Sequence, residues 1–294
     1  MCTATSAGRE NTDLSNGNDS AANAPRQGQD AEAIAGAFVR ARLAGAALPA
    51  FPGEIPADLV AAYAVQDLAI ARWPDEVVGW KVGYIQPARR DGSGDERLLG
   101  PIFRRNLWQV EDAARPVELP VFSGGFAAVE AEYVLRLLED APPDQTDWTP
   151  EQAAALPASL HTGIEIASSP LATINALGPR VVVSDFGNNN GLVMGREIHG
   201  WRGIAEADLV ASTWIEEECV GRGGATTLPG GLLAAYAFAL SRSARRGRPL
   251  RRGELIATGN ATGIHDIAVG QAARVEFEQC GTIEGRAVAA RERT

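Results

Sequence analysis

Hydrophobic positions along the 294-residue chain follow two periods, and the change from one to the other divides it. Over AEAIAGAFVRARLAGA, Ile34, Phe38, Val39 and Leu43 recur close to the spacing of one helix face. PADLVAAYAVQDLAIARW predicts a second helix, with Pro56 where that helix opens. From Val77 the texture is that of strands: VVGWKVGYI over 77–85, then PIFRRNLWQV and PVELPVF, then VEAEYVL over 129–135. A polar, glycine-containing loop from about Gln86 to Glu96 interrupts the run. APPDQTDWTPEQ predicts a surface loop in which Thr149-Pro-Glu-Gln opens a short helix. SLHTGIEIASS and PRVVVSDFGNNNGLVMG predict further strands with polar interruptions. GGLLAAYAFALSRSARR is the clearest late helix, closed by Gly247 and Pro249. ELIATGNATGIHDI and ARVEFEQCGTIEGRAV complete the chain as β structure. Two helices, a β-rich body and one late helix predict an α+β fold and not a regular βαβ alternation.

Residues 1–30 are rich in Ser, Asn, Gly, Ala and Asp, have almost nothing to bury, and predict a disordered N-terminal tail. Residues 31–294 then make a single domain, with a helical start over 31–73 and a β-rich body over 77–294. A net charge of −10 argues against nucleic acid or an anionic membrane surface as the main partner. It leaves room for a small anionic substrate, because a metal ion or a local lysine can reverse the field inside a pocket. Cys2, Cys219 and Cys280 are scattered, with neither zinc-site spacing nor a disulfide framework, which fits free thiols in a reducing cytoplasm. No run of 18 apolar residues is present, and the first twenty residues lack the apolar segment of a secretory signal. A cytoplasmic location is therefore expected. No GxGxxG or GxxxxGK[ST] phosphate loop and no GxSxG nucleophile turn appears.

Charged residues in apolar surroundings are the candidate chemistry. In VEAEYVL, Glu130 and Glu132 point the same way from a strand, roughly 6–7 Å apart. A solvated face is the ordinary reading of such a pair, but SGGFAAV and VLRLL flank it with apolar residues. Glu165 lies between Ile164 and Ile166, where an ionised carboxylate is costly unless paired or bound to a cation. Three such residues would form an all-oxygen site suited to Mg²⁺ or Mn²⁺. Lys81, in GWKVGY, is either a lysine snorkelling from a strand edge or a general acid/base or clamp on a substrate carboxylate. DFGNNNG over 185–191 is a turn by composition that could also supply Asp185 and an Asn to a pocket. Of the three histidines, His161 and His199 lack partner spacing, whereas His265, in TGIHDI, is the better pocket candidate.

GWKVGY, VEAEYVL, GIEIASS, SDFGNNNGLVMG and GRPLRRGELIATGNATGIHDI, in that order, resemble the fumarylacetoacetate hydrolase superfamily over most of residues 35–290. The likeness is to its 2-keto-4-pentenoate (2-hydroxypentadienoate) hydratase branch. The resemblance implies a mixed β-sandwich roll with peripheral helices, and a homo-oligomeric enzyme of aromatic catabolism. It implies that Glu130, Glu132 and Glu165 hold Mg²⁺ or Mn²⁺ and that Lys81 is the active-site lysine. Asp185 joins Lys81 as a catalytic candidate, while Asn188 and Thr258, the latter in a Thr258-Gly259 turn that lines the pocket, would bind substrate with His265. The implied reaction adds water to a 2-hydroxy-2,4-dienoate, or its 2-oxo-enoate tautomer, to give a 4-hydroxy-2-oxo acid. Alternatives are a 2-oxo-3-enedioate (4-oxalocrotonate) decarboxylase, an acylpyruvate-type C–C hydrolase, and a metal-free binding or scaffold relative. Hydrolysis is disfavoured because no His precedes position 161, and retention of all three Glu and Lys81 speaks against a metal-free relative. The chain departs from the branch at Leu98-Leu99, where an acidic residue is common, and after Ile166, where Ala-Ser-Ser-Pro replaces an Arg-containing segment.

Overall fold

The computed structural model describes residues 19–110 and 116–293. Helix α1 (Asp19–Ala44) buries Ile34, Phe38 and Val39, and Leu43 is half-buried against the same core. The expected tail over 1–30 falls partly on residues 1–18, outside the described residues, and its remainder extends α1 toward the N-terminus. Helix α2 (Leu59–Arg72) starts later than Pro56 suggests, because Asp58 caps it by accepting from the Ala61 amide at 2.8 Å.

Strands β1 (Val77–Tyr84), β2 (Arg97–Phe103), β3 (Leu107–Gln109), β4 (Val117–Val121) and β5 (Phe126–Leu137) come next. Helix α3 (Pro150–Ala155) carries the expected capping box between Thr149 and Gln152, and leads into β6 (Ala158–Ser169). PRVVVS does not form the expected strand. Pro179 sits at the first turn of a short helix, α5 (Pro179–Ser184), directly after α4 (Ile174–Leu177), and Val181–Val183 are buried as a helical cluster. Strand β7 (Asn189–Glu197) begins only after a 3-10 turn at Phe186–Asn188. The chain then adds β8 (Val210–Ile215), β9 (Glu218–Gly224), α6 (Gly231–Arg245), β10 (Leu255–Ala257), β11 (Ile264–Asp266), β12 (Ala272–Phe277) and β13 (Gly281–Ala289).

Among the described residues the strands form two sheets. The larger runs β2-β1-β10-β5-β6-β7-β3, with β11 paired to β5, and the smaller runs β4-β13-β12-β8-β9. The two meet through apolar side chains, as where the Tyr133 and Phe277 rings pack edge to face at 5.6 Å. Alternation along β5 gives the larger sheet two unlike faces. Val129, Ala131, Tyr133 and Leu135 enter the main core, whereas Val134 joins a separate small cluster with Leu192, Leu255 and Ala257. The two even-numbered positions immediately before Val134 are Glu130 and Glu132, so both acids share the face of that second cluster. This is the mixed α+β roll that the sequence predicts.

Candidate metal centre

Register brings the acids together. Glu130 on β5 pairs directly with Glu165 on β6, and paired residues share a sheet face. Lys81 pairs with Ala257 and Ala257 with Val134, which carries the lysine to the same face from two strands away. All four side chains are buried. One carboxylate oxygen from each Glu lies within 4.8 Å of those of the other two, and Lys81 Nζ stands 3.4 Å from Glu165 Oε1.

Each carboxylate is half used. Glu132 Oε2 accepts from the Gly259 amide at 2.7 Å, Glu165 Oε1 accepts from Asn189 Nδ2 at 3.0 Å, and the Asn260 side chain bonds Glu130. Among the described residues, Glu130 Oε1, Glu132 Oε1 and Glu165 Oε2 have no hydrogen-bond partner. Buried oxygens are rarely left so, and three in one place, all from carboxylates, fit a hard divalent cation such as Mg²⁺ or Mn²⁺.

Burial raises the Glu130 carboxyl against the pull of Lys81. Burial, then the charges of Glu165 and Glu130, raises Glu132 well above the ordinary range. Burial pushes Glu165 up to about 7, with Lys81 opposing. The lysine feels the converse field: burial pulls its amine down, but Glu165, Glu130 and Glu132 more than offset this, so it is held as a cation.

Other residues predicted from sequence fall elsewhere. Asp185 is paired with Arg42, whose Nε meets Oδ1 at 2.5 Å and whose Nη2 meets Oδ2 at 2.9 Å. Asn188 donates to Asn175 at 3.2 Å, and it is the next residue, Asn189, that reaches Glu165. Phe186, Gly187 and Asn188 all have positive φ (53°, 63° and 57°), a costly left-handed turn for a buried Phe that delivers Asn189 to its partner. Thr258 Oγ1 donates to the Tyr133 carbonyl at 2.8 Å, and the chain then turns at Gly259 (φ 122°), which frees its amide for Glu132. His265 pairs with Val129, not Glu130, so it faces away from the acids and donates to the Thr262 carbonyl at 3.1 Å.

The supporting residues Arg42, Asn189 and Asn260 were not read from the sequence, whereas Gly259 lies in the Thr258-Gly259 turn that the resemblance assigns to the pocket. Asn189 is one residue from a predicted position, so its loop was legible but the register within it was not. Arg42 carries no signal beyond a basic residue in a helix's last turn.

No protein-family model matches the chain, nor does any curated protein. Solved structures do. The 4-oxalocrotonate decarboxylase from Pseudomonas putida G7, complexed with magnesium and adipate, superposes with TM-score 0.71 at 20% identity, over 88% of this chain and 98% of that one. Fumarylpyruvate hydrolase from Pseudomonas aeruginosa, in complex with Mn²⁺ and pyruvate, gives 0.52 at 16%, over 71% and 88%. The 5-carboxymethyl-2-hydroxymuconate delta-isomerase from Mycobacterium smegmatis gives 0.52 at 14%, over 73% and 80%. Among the described residues no helix is long and apolar enough to cross a membrane. Two packed sheets of this topology, with a few peripheral helices and that set of neighbours, give the chain the fold of the fumarylacetoacetate hydrolase type.

Proposed function

We propose that the chain is a divalent-metal-dependent hydratase acting on a 2-hydroxy-2,4-dienoate or its 2-oxo-enoate tautomer. The observation that carries this reading is the half-used state of Glu130, Glu132 and Glu165, three free buried oxygens with a cationic lysine beside them. Mg²⁺ or Mn²⁺ held there would take the substrate's carboxylate and C2 oxygen as a chelating pair and favour enolate charge on that oxygen. Lys81 relays the proton: as the C2 hydroxyl gives up its proton and the C2 carbonyl forms, the lysine delivers one to C5 and is reprotonated by the one released, so the dienol becomes an α,β-unsaturated ketone with no net change of protons. Water then places its hydroxyl on C4 and its proton on C3, and the carboxylates of the cluster orient it. Asn189 fixes the Glu165 rotamer, and Asp185 acts at one remove, through Arg42 and the Asn189 carbonyl. The same reading carries the expectation of a homo-oligomeric cytoplasmic enzyme of aromatic catabolism, whose assembly light scattering measures.

A second reading, decarboxylation of a 2-oxo-3-enedioate, is favoured by one finding, the match to nearly the whole length of the Pseudomonas putida decarboxylase. Purified protein is incubated with Mg²⁺ and either 2-hydroxypenta-2,4-dienoate or 4-oxalocrotonate, following dienol absorbance and CO₂. Metal-dependent loss of the dienol without CO₂ from the enedioate is the expected result. CO₂ release favours the second reading, and silence with both substrates defeats both. Lys81→Met is expected to keep Mn²⁺ binding while turnover falls by about 10²-fold or more.

A further inference from the structure

Strand β6 carries polar groups that the chemistry at the glutamates leaves unused. Ser159 and His161 alternate along it, and Arg136 on β5 pairs with Ser159, so all three share the sheet face of Glu165. Glu165 lies further along the strand, about 20 Å from Ser159 at the rise of β structure. Met194 of the small apolar cluster pairs with Gly163 and stands in the interval. His161, Arg136 and Met194 line a cavity of about 770 Å³, inside the usual range for small-molecule pockets, about 300–1,000 Å³. Ile198 and Ile204 add an apolar wall, and neither the three glutamates nor Lys81 is among the described lining residues.

Ser159 and His161 are bonded to each other, with Oγ and Nε2 3.0 Å apart. The Gly195 main chain bonds the same ring and favours its protonated form, as a carbonyl accepting from Nδ1 does. A neutral imidazole that donates from Nδ1 accepts at Nε2, so the serine hydroxyl is the donor between them. Burial lowers the pKa of the ring more than the Gly195 bond and the Glu197 charge restore it, so His161 is a neutral base at pH 7. A hydroxyl bonded to a base that a third group orients is the arrangement of an activated nucleophile. The ring also feels the charge of Arg136, which puts that guanidinium beside the hydroxyl, where an oxyanion would form.

We propose that Ser159 and His161 form a second catalytic site, independent of the metal centre, that hydrolyses small acyl esters. Ser159 Oγ bonds to the ester carbonyl carbon while its proton passes to His161 Nε2. The carbon–alkoxide bond then breaks, and the alkoxide takes that proton and leaves as an alcohol. Water next adds its hydroxyl to the acyl carbon and gives its proton to Nε2. The bond to Oγ breaks, the proton returns to Ser159, and the carboxylic acid is released. Arg136 faces the oxyanion of both additions, and Met194, Ile198 and Ile204 receive an apolar acyl chain. None of these steps depends on chelation at the glutamates.

The test uses the full chain, in EDTA and in Mg²⁺, with p-nitrophenyl butyrate as substrate and a fluorophosphonate as covalent probe. Wild type is expected to release p-nitrophenol over many turnovers at the same rate in both buffers. The probe should be found on Ser159 by tandem mass spectrometry. Ser159→Ala and His161→Gln should each lower hydrolysis by about 10²-fold or more, the scale of general-base catalysis. Urea unfolding reports that each variant keeps its fold. A wild-type rate no higher than that of folded Ser159→Ala overturns the inference, and so does a fluorophosphonate that leaves Ser159 unmodified. Hydrolysis that EDTA abolishes overturns it too, by assigning the reaction to the metal centre.

Discussion

Two buried charge clusters lie on either side of Asn189, and they are built on opposite principles. In one, Arg42 and Asp185 satisfy each other. The guanidinium meets both carboxylate oxygens and also the carbonyls of Ser168, Asp185 and Asn189, while Ser169 donates to Asp185 at 2.6 Å. In the other, three carboxylates share one lysine and keep three oxygens without partners. Burial is nearly complete in both, so burial alone says nothing about role. The difference lies in saturation. A closed cluster has no capacity left for a ligand and serves to pin α1 to the turn before β7, whereas an open one stores a deficit that a cation removes.

The largest effect that tests this contrast is on stability. Asp185→Ala strands a buried guanidinium and is expected to cost about 3–5 kcal/mol in urea unfolding. Replacing both partners with apolar residues, Arg42→Met with Asp185→Leu, should recover much of that loss, since such pairs are often exchanged at little net cost. Loss of turnover in Asp185→Ala should follow the unfolded fraction. A stable but inactive Asp185→Ala would instead make Asp185 a participant in the chemistry and end the comparison.

The open cluster should behave in the reverse sense. Mg²⁺ or Mn²⁺ at 100 times its Kd is expected to stabilise wild type by about 2.7 kcal/mol. Glu132→Gln removes one of three mutually repelling charges, so without added metal it should unfold at the same urea concentration as wild type or a higher one. The metal-induced shift should vanish in that variant. A Glu132→Gln protein as damaged as Asp185→Ala, or one that keeps the shift, would show that the acids are structural.

How much of this was legible from residues alone follows from the same distinction. Period-2 alternation put Glu130 and Glu132 on one face, and that held because a strand's geometry is local. Glu165 and Lys81 announced themselves as charges inside apolar runs, since the cost of burying a charge does not depend on knowing its partner. Partnership was not readable. Asp185, an acid in a polar loop, has the same local signature as a catalytic residue, and only the fold supplies Arg42 from 143 residues away. PRVVVS misled for a related reason: its valines suit a strand, but Pro179 at a helix N-terminus and packing against α2 decide otherwise. His265 pairs one position away from Glu130, and in β structure one residue reverses the face; Asn188 ends the left-handed turn, and the residue after it carries the bond to Glu165.

The smallest predicted effect is at Asn189, the residue the two clusters share. Its carbonyl accepts from Arg42 Nη1 at 3.0 Å and its side chain donates to Glu165 Oε1 at 3.0 Å. Asn189→Ala removes the second bond and the longer one from the same amide to the Gly191 carbonyl at 3.4 Å. The closed cluster keeps its main-chain contact, so stability should fall by about 1 kcal/mol, the scale of one hydrogen bond. Glu165 loses the group that holds its rotamer, and Mn²⁺ affinity should weaken by about tenfold, as for partners that orient a metal ligand. Calorimetric Mn²⁺ titration beside urea unfolding reads both quantities on one preparation. A large stability loss with unchanged Mn²⁺ affinity would place Asn189 with Arg42 and Asp185, and would move the boundary between the two clusters to Glu165 itself.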